Sequence, residues 1–337
     1  MPRRLIVCID GTWNSSAEKS RQFSYPTNVW RISQLLLNDG QTQRVIYVPG
    51  VGTQGFADRV IGGVWGEGTT QRICDGYRFL CEGYEAGDQI SLFGFSRGAF
   101  AARSIIGLLI NLGVLRSDQL HYVREALALY RRNHRREEAQ AFAETHCHEV
   151  KPEITFVGVW DTVVRFGPLL APLQDLLVSV LKERFGLYDH QIPHTVKHFC
   201  HALALDERRA AFWPWRAERL KGSPRDQVEE TWFAGVHSDV GGGYPDTRLA
   251  DFPLRWICER AAAAGLVFHH MPAVSDDSYL ARPHRSRRGL WRVLPSRRRI
   301  VQESDCLHDS VERKMRSTSY RPAARLPKQL LTRLTSA

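Results

Sequence analysis

An apolar run, Ile90-Ser-Leu-Phe, meets Gly94-Phe95-Ser96-Arg97-Gly98 and passes without a break into Ala99-Phe-Ala-Ala-Arg-Ser-Ile-Ile-Gly-Leu-Leu109, which has the composition of a helix. A strand, a five-residue G-x-S-x-G turn and a helix form the nucleophile-elbow pattern, which few folds accommodate. The reason is steric. A serine at so sharp a turn takes a strained backbone conformation, and small residues on either side let strand and helix pass closely. The Ser96 hydroxyl is then raised above a sheet edge. The first amides of the helix, beginning with Arg97, face any anion that forms beside it.

A strand-ending serine of this kind predicts parallel strands and crossover helices around it, and the chain supplies them. Leu5-Ile-Val-Cys-Ile9 reads as a buried strand ending at Asp10-Gly11-Thr12. Pro26 to Leu37 carries Val29, Ile32, Leu35 and Leu36 on one helical face, with Thr27 or Asn28 as cap. Arg44-Val-Ile-Tyr-Val48 is a second strand, and Ile73, Tyr77, Leu80 and Tyr84 recur at helical spacing before the elbow strand. Further strands are expected over 153–160 and 231–236, with a packing helix from Phe252 to about Gly265. The run from His198 to Arg209 fits either helix or strand. The predicted fold is α/β, resembling an α/β-hydrolase: a doubly wound, mostly parallel sheet with helical insertions.

A length of 337 residues suits a catalytic domain over 1–270, with insertion or lid candidates at 117–150 and 165–200. The leucines between 169 and 181 fit either a core helix or a lid over an apolar cleft. Residues 271–337 read as a basic C-terminal extension that contributes to the net charge of +10. Its arginines, interleaved with Trp291, Val293 and Leu294, are compatible with a solvated extension or with peripheral contact to an anionic membrane. No nucleic-acid recognition motif accompanies them, which argues against that partner. The seven cysteines form no C-x-x-C pair, so neither a disulfide framework nor a zinc site is indicated. The glycine-rich section with Gly55, Gly62, Gly63, Gly66 and Gly68 lacks both a P-loop Lys-Ser/Thr and a G-x-G-x-x-G, and no cofactor is expected. The apolar run before Asp10 is too short for a signal-peptide core and no run is long enough to span a bilayer. A cytoplasmic chain is expected, with export by a specialised secretion system left open.

Serine is a weak nucleophile at neutral pH. It needs a base within hydrogen-bond reach and an acid that fixes the tautomer of that base. Three strand ends supply candidates in the order serine, acid, histidine: Ser96, then Asp161 after Val157-Gly-Val-Trp160, then His237 after Phe233-Ala-Gly-Val236. His198 and His201 compete for the base, and Asp206 and Asp239 for the acid. His237 is preferred because it opens the glycine-rich turn Gly241-Gly-Gly243. Oxyanion donors are expected from the Arg97 amide and from the turn Gly11-Thr12. Asp10 fits two roles, holding that turn or joining His237 and Asp239 around a cation, and the second would make the chain a cation-dependent hydrolase. A non-catalytic membrane- or nucleic-acid-binding module is the remaining alternative.

The ordered motifs Ile9-Asp-Gly-Thr-Trp-Asn14, Tyr47-Val-Pro-Gly-Val-Gly-Thr53, Gly94-Phe-Ser-Arg-Gly-Ala-Phe100, Gly158-Val-Trp-Asp-Thr-Val163, His201-Ala-Leu-Ala-Leu-Asp-Glu-Arg-Arg209 and Trp232 to Tyr244 are similar to the set that marks the DUF2235 family of α/β-hydrolases. That family includes the Tle1-type phospholipase effectors of type VI secretion. The resemblance implies a serine ester hydrolase using Ser96, Asp161 and His237, with a lipid or other acyl ester as substrate.

Overall fold

The computed structural model describes residues 2–11, 25–50, 67–132, 136–163 and 191–335. Strand β1 (Arg4–Ile9) lies in the interior of the sheet, because helix α1 (Asn28–Leu35) returns the chain to β2 (Gln43–Val48) on one side. Helix α2 (Glu67–Gly83) then carries it to β3 (Gln89–Phe95) on the other. After β3 come α3 (Arg97–Asn111), α4 (Val123–Arg131), α5 (Arg136–His146) and β4 (Glu153–Trp160). The short strands β5 (Gln191–Ile192) and β7 (Glu218–Arg219) pair with each other, flanking β6 (Val196–Ala204) in sequence. Strand β8 (Val228–Phe233), helices α6 (His237–Gly241) and α7 (Arg248–Ala263), strand β9 (Cys306–Leu307) and helices α8 (Asp309–Ser317) and α9 (Lys328–Thr335) complete the described chain.

The main sheet has seven strands in the order β2-β1-β3-β4-β6-β8-β9, and every pairing is parallel. Alternation along β1 shows how both faces are covered. Leu5, Val7 and Ile9 join a core with Tyr77, Leu80, Ile105 and Leu127 from α2, α3 and α4. Ile6 and Cys8 point the other way, into a core with Val29 and Ile32 of α1 and Ile257 of α7. This is the doubly wound arrangement expected of buried parallel strands. The order reverses between β1 and β3, so the crevice at their carboxyl ends is the topological switch point, where open α/β sheets seat ligands. Gly11 and Ser96 occupy those two ends.

Several local expectations resolve. Thr27 is the α1 cap, its hydroxyl accepting from the Trp30 amide at 3.2 Å. The ambiguous run after His198 is strand, because β6 is buried between β4 and β8, where a parallel strand shows no alternation. Within 117–150, α4 and α5 pack Val123, Leu127, Tyr130 and Phe142 into the first core. The glycine-rich section through Gly66 and the leucines at 169–181 lie outside the described residues. Of the lid candidate at 165–200, the part from Val196 onward belongs to β6.

The basic segment does not stay in solvent throughout. Beyond residue 270 the chain adds β9 beside β8 and buries Val301, Val311 and Met315 against Leu203 and Trp232. Arg299, one of its arginines, is 1% exposed. Among the described residues no helix is long and apolar enough to cross a membrane.

Candidate active site

At the elbow Ser96 has φ 59° and ψ −121°, in the region that side chains avoid, and its side chain makes no capping bond to α3. What sustains the strain is close packing around it. A Cβ on Gly98 would lie 2.2 Å from the Ile9 carbonyl oxygen, and one on Gly94 would lie 2.6 Å from the Ala99 Cα. Only glycine lets β1, β3 and the start of α3 meet at this distance. The same contact brings the turn after β1 beside the serine: a Cβ on Gly11 would sit 3.3 Å from Ser96 Cβ. Thr12 lies outside the described residues.

Asp10 fastens that turn. Its Oδ1 accepts from the Gly11 amide at 2.6 Å, and its Oδ2 accepts from Thr27 Oγ1 at 2.6 Å and Tyr47 Oη at 2.7 Å. Burial, and then the neighbouring Asp10 charge, push the Tyr47 phenol far above its usual range, so Tyr47 stays protonated as a donor.

The register of β3 against β4 pairs Phe95 with Trp160, so Ser96 and Asp161 follow neighbouring strands at the same level. The Ser96 amide donates to the Trp160 carbonyl at 3.0 Å. Asp161 is fully buried, with φ 41°, and its carboxylate is saturated with donors. Oδ1 accepts from Arg299 Nη1 at 2.5 Å and the Ala204 amide at 3.1 Å, while Oδ2 accepts from Arg299 Nη2 at 2.9 Å and His237 Nδ1 at 2.6 Å. Burial pushes this carboxyl up, yet the Arg299 charge and the bonds from His237 and Arg299 outweigh it. The group sits well below the usual carboxylate range.

His237 opens α6, is 4% exposed, and has Phe95 and Phe212 rings at 4.6 and 5.0 Å. Burial lowers its pKa, with Asp161 opposing and the more distant Arg209 assisting, so the ring is neutral at neutral pH. With Nδ1 donating to Asp161, Nε2 carries the lone pair, the tautomer a general base requires. Phe95, adjacent to Ser96, brings the imidazole to the serine's strand end. Among the described residues the Ser96 hydroxyl makes no hydrogen bond.

The competing residues are engaged elsewhere. His201 is a satisfied core histidine, accepting from the Thr162 amide at 3.0 Å and donating to Glu230 at 2.8 Å. His198 is exposed on β6. Asp206 turns away from its sequence neighbours Arg208 and Arg209; it accepts from the Gly235 and Ala323 amides and Tyr320 Oη, each at 2.7 Å. Asp239 accepts from the Val236 amide at 2.9 Å and from His284 Nδ1 at 2.5 Å. Asp10, His237 and Asp239 therefore serve three separate networks, and no group of three His, Cys, Asp or Glu among the described residues could hold a metal ion.

Two participants were not legible in the sequence. Glu207 binds Arg209 through both oxygens at 3.0 and 2.8 Å and accepts from the His237 amide at 3.4 Å, fixing the backbone from which the imidazole projects. Arg299 sits among several arginines with no local feature to distinguish it. Glu207 lies in the motif ending at Arg209, a signal that could have drawn attention to it.

Among known proteins, the uncharacterized protein YEL023C of Saccharomyces cerevisiae is 26% identical over 235 residues, 62% of this chain and 32% of that protein. A crystal structure of an uncharacterized protein from Pseudomonas aeruginosa aligns with TM-score 0.49 and 18% identity, covering 79% of this chain and 47% of that one. The esterase Est2 of Thermogutta terrifontis, with butyrate bound, aligns with TM-score 0.37 and 12% identity over 78% of this chain and 84% of the other. This chain thus spans less than half the length of the yeast and Pseudomonas proteins. Residues 3–260 match the family described as the catalytic domain of Tle1-like phospholipase effectors of type VI secretion, and the chain belongs to that family.

Proposed function

We propose that the chain is a serine ester hydrolase acting on acyl esters of lipids or phospholipids, with Ser96 as nucleophile, His237 as base and Asp161 as acid. The observation that carries this reading is the 2.6 Å bond between His237 Nδ1 and the ionised Asp161, at the level of a strained serine on the next strand. The family and its phospholipase effectors support the choice of substrate.

In this mechanism Ser96 Oγ attacks the ester carbonyl carbon while its proton passes to His237 Nε2. The Arg97 amide at the start of α3 and the Thr12 amide donate to the oxyanion, each such donor contributing about 3 kcal/mol to the transition state; the Gly11 amide, expected from the sequence to share this role, is instead held by Asp10 Oδ1 at 2.6 Å. Collapse breaks the ester bond, and the alcohol leaves with the proton from His237. Water, deprotonated by the same nitrogen, then releases the acid and restores Ser96. The catalytic machinery is assigned to residues 1–270, with segment 271–337 packed against it.

The lipid surface is assigned to the arginine-rich segment. Residues 282–300 hold eight arginines and no acidic residue. Val293 projects from it, 80% exposed. Trp291 meets Phe212 at 5.5 Å, and Phe212 meets His237, so this segment borders the site. Exposed cations around an apolar tip suit an anionic lipid interface better than a nucleic acid. Loss of phospholipid hydrolysis in Ser96→Ala, in a protein that still folds, is the expected outcome; an unchanged rate would refute the assignment.

A further inference from the structure

We propose that Arg299 is a positioning residue for the proposed reaction, its guanidinium gripping both oxygens of Asp161 so that Oδ2 is aimed at His237 Nδ1. Arg299 lies outside residues 3–260, the part that matches the family's catalytic domain. Nothing in its local sequence sets it apart from Arg297 and Arg298, which are exposed.

The geometry is that of a fork on a fork. Nη1 reaches Oδ1 at 2.5 Å and Nη2 reaches Oδ2 at 2.9 Å, and the same nitrogens donate to the Ala204 and Phe212 carbonyls at 2.8 and 2.7 Å. Two backbone oxygens therefore fix the plane of the guanidinium, which in turn fixes the plane of the carboxylate. The arm is anchored on both sides. The Arg297 amide donates to the Arg208 carbonyl at 2.9 Å, and the Arg325 amide donates to the Arg299 carbonyl at 2.8 Å. A merely structural arginine could have ended on the carbonyls alone. This one closes the chain from the C-terminal segment through Asp161 to His237.

The charged groups around the pair set the expected pH response. Asp161 faces Arg299 from this segment, His237 from the start of α6 and His201 from β6. His237 faces Asp161 after β4 and Arg209 and Glu207 after β6. Removing the Arg299 charge has two routes, with one direction. If Asp161 stays ionised, its whole charge acts on His237, and the base takes up a proton at higher pH. If burial instead protonates Asp161, the acid itself is lost at higher pH. Either way the acid limb of the kcat/KM profile moves upward, by about 1–3 pH units for a contact of this distance.

The proposal rests on the Ser96 hydrolase reading, and one experiment separates the two: kcat and KM against pH on an ester substrate for the parent chain, Arg299→Gln, Arg299→Lys and Ser96→Ala. Arg299→Gln is expected to move the acid limb upward and to recover part of its activity at alkaline pH. An acid limb that stays in place, whatever the overall rate, overturns the proposal. Should the glutamine variant fail to fold, Arg299→Lys decides, because a single ammonium nitrogen lacks the planar fork that makes two parallel bonds to the carboxylate while holding the Ala204 and Phe212 carbonyls. A fall of roughly tenfold or more in kcat with KM unchanged is expected from the loosened geometry. A lysine that performs as well as arginine overturns the assignment. Hydrolysis that persists in Ser96→Ala sinks the hydrolase reading and this proposal with it. Hydrolysis abolished in Ser96→Ala, with an unmoved limb in Arg299→Gln, sinks the role of the arginine alone.

Discussion

Replacing Asp161 by Asn tests whether charge, and not shape, organises the site. The substitution is nearly isosteric, so it opens no cavity at this fully buried position. What changes is that Arg299, also buried, loses its anion, and one carboxylate oxygen becomes an amide nitrogen, which donates and can accept from neither Arg299 nor His237. Breaking a buried ion pair by removing one partner costs about 3–5 kcal/mol, against about 5–15 kcal/mol for the stability of a whole domain. The Asp161→Asn variant is therefore expected to fold, with a much lower unfolding midpoint in urea. The catalytic loss is separate. An amide hydrogen facing Nδ1 inverts the histidine tautomer and puts the proton on Nε2, an effect of about 10⁴ in kcat in a well-studied serine protease triad. The pH dependence supplies a third readout. The folded-state pKa of Asp161 is depressed below its unfolded value of about 3.9, so its contribution is present above that pH and is lost as pH falls further. The parent should thus lose stability below about pH 4 more steeply than the variant. A variant that unfolds within about 1 kcal/mol of the parent, or keeps a tenth of its activity, would refute this reasoning.

Two further predictions concern the elbow and the lipid surface. Gly98→Ala puts a methyl 2.2 Å from the Ile9 carbonyl oxygen, so β1 and α3 must separate. A loss of about 1–3 kcal/mol and a collapse of activity are expected, whereas wild-type kinetics would mean that the close approach is not needed. Replacing Arg292 and Arg298, both exposed, by Gln should weaken binding to vesicles containing anionic lipid by about 2 kcal/mol, roughly 30-fold in co-sedimentation. Equal binding of parent and variant would remove that surface from the mechanism.

The elbow is readable from sequence because its physics is local: strand, two small residues and helix must be contiguous for a strained serine to exist. Asp161 and His237 are readable as candidates for a related reason, since parallel strands end at one edge of the sheet, and the structure joins the two by a 2.6 Å hydrogen bond. The strand at 196–204 is not, because burial between two neighbours erases the alternation that would separate it from a helix. The engagement of Asp206 is not readable either, because its partners, Gly235, Tyr320 and Ala323, come from distant parts of the chain. Arg299 shows the limit most clearly. One arginine in a run turns inward because β9 and the bridge to Arg325 fold the segment back over the site, and composition registers only the charge.

In the proposed mechanism Ser96 is a nucleophile activated by His237. A fluorophosphonate probe, followed by peptide mass spectrometry, tests it most directly. Covalent labelling on the peptide containing Ser96, abolished in Ser96→Ala and suppressed in His237→Gln, is the expected result. Labelling that survives in Ser96→Ala, or a parent chain that hydrolyses esters without ever reacting at Ser96, would contradict it.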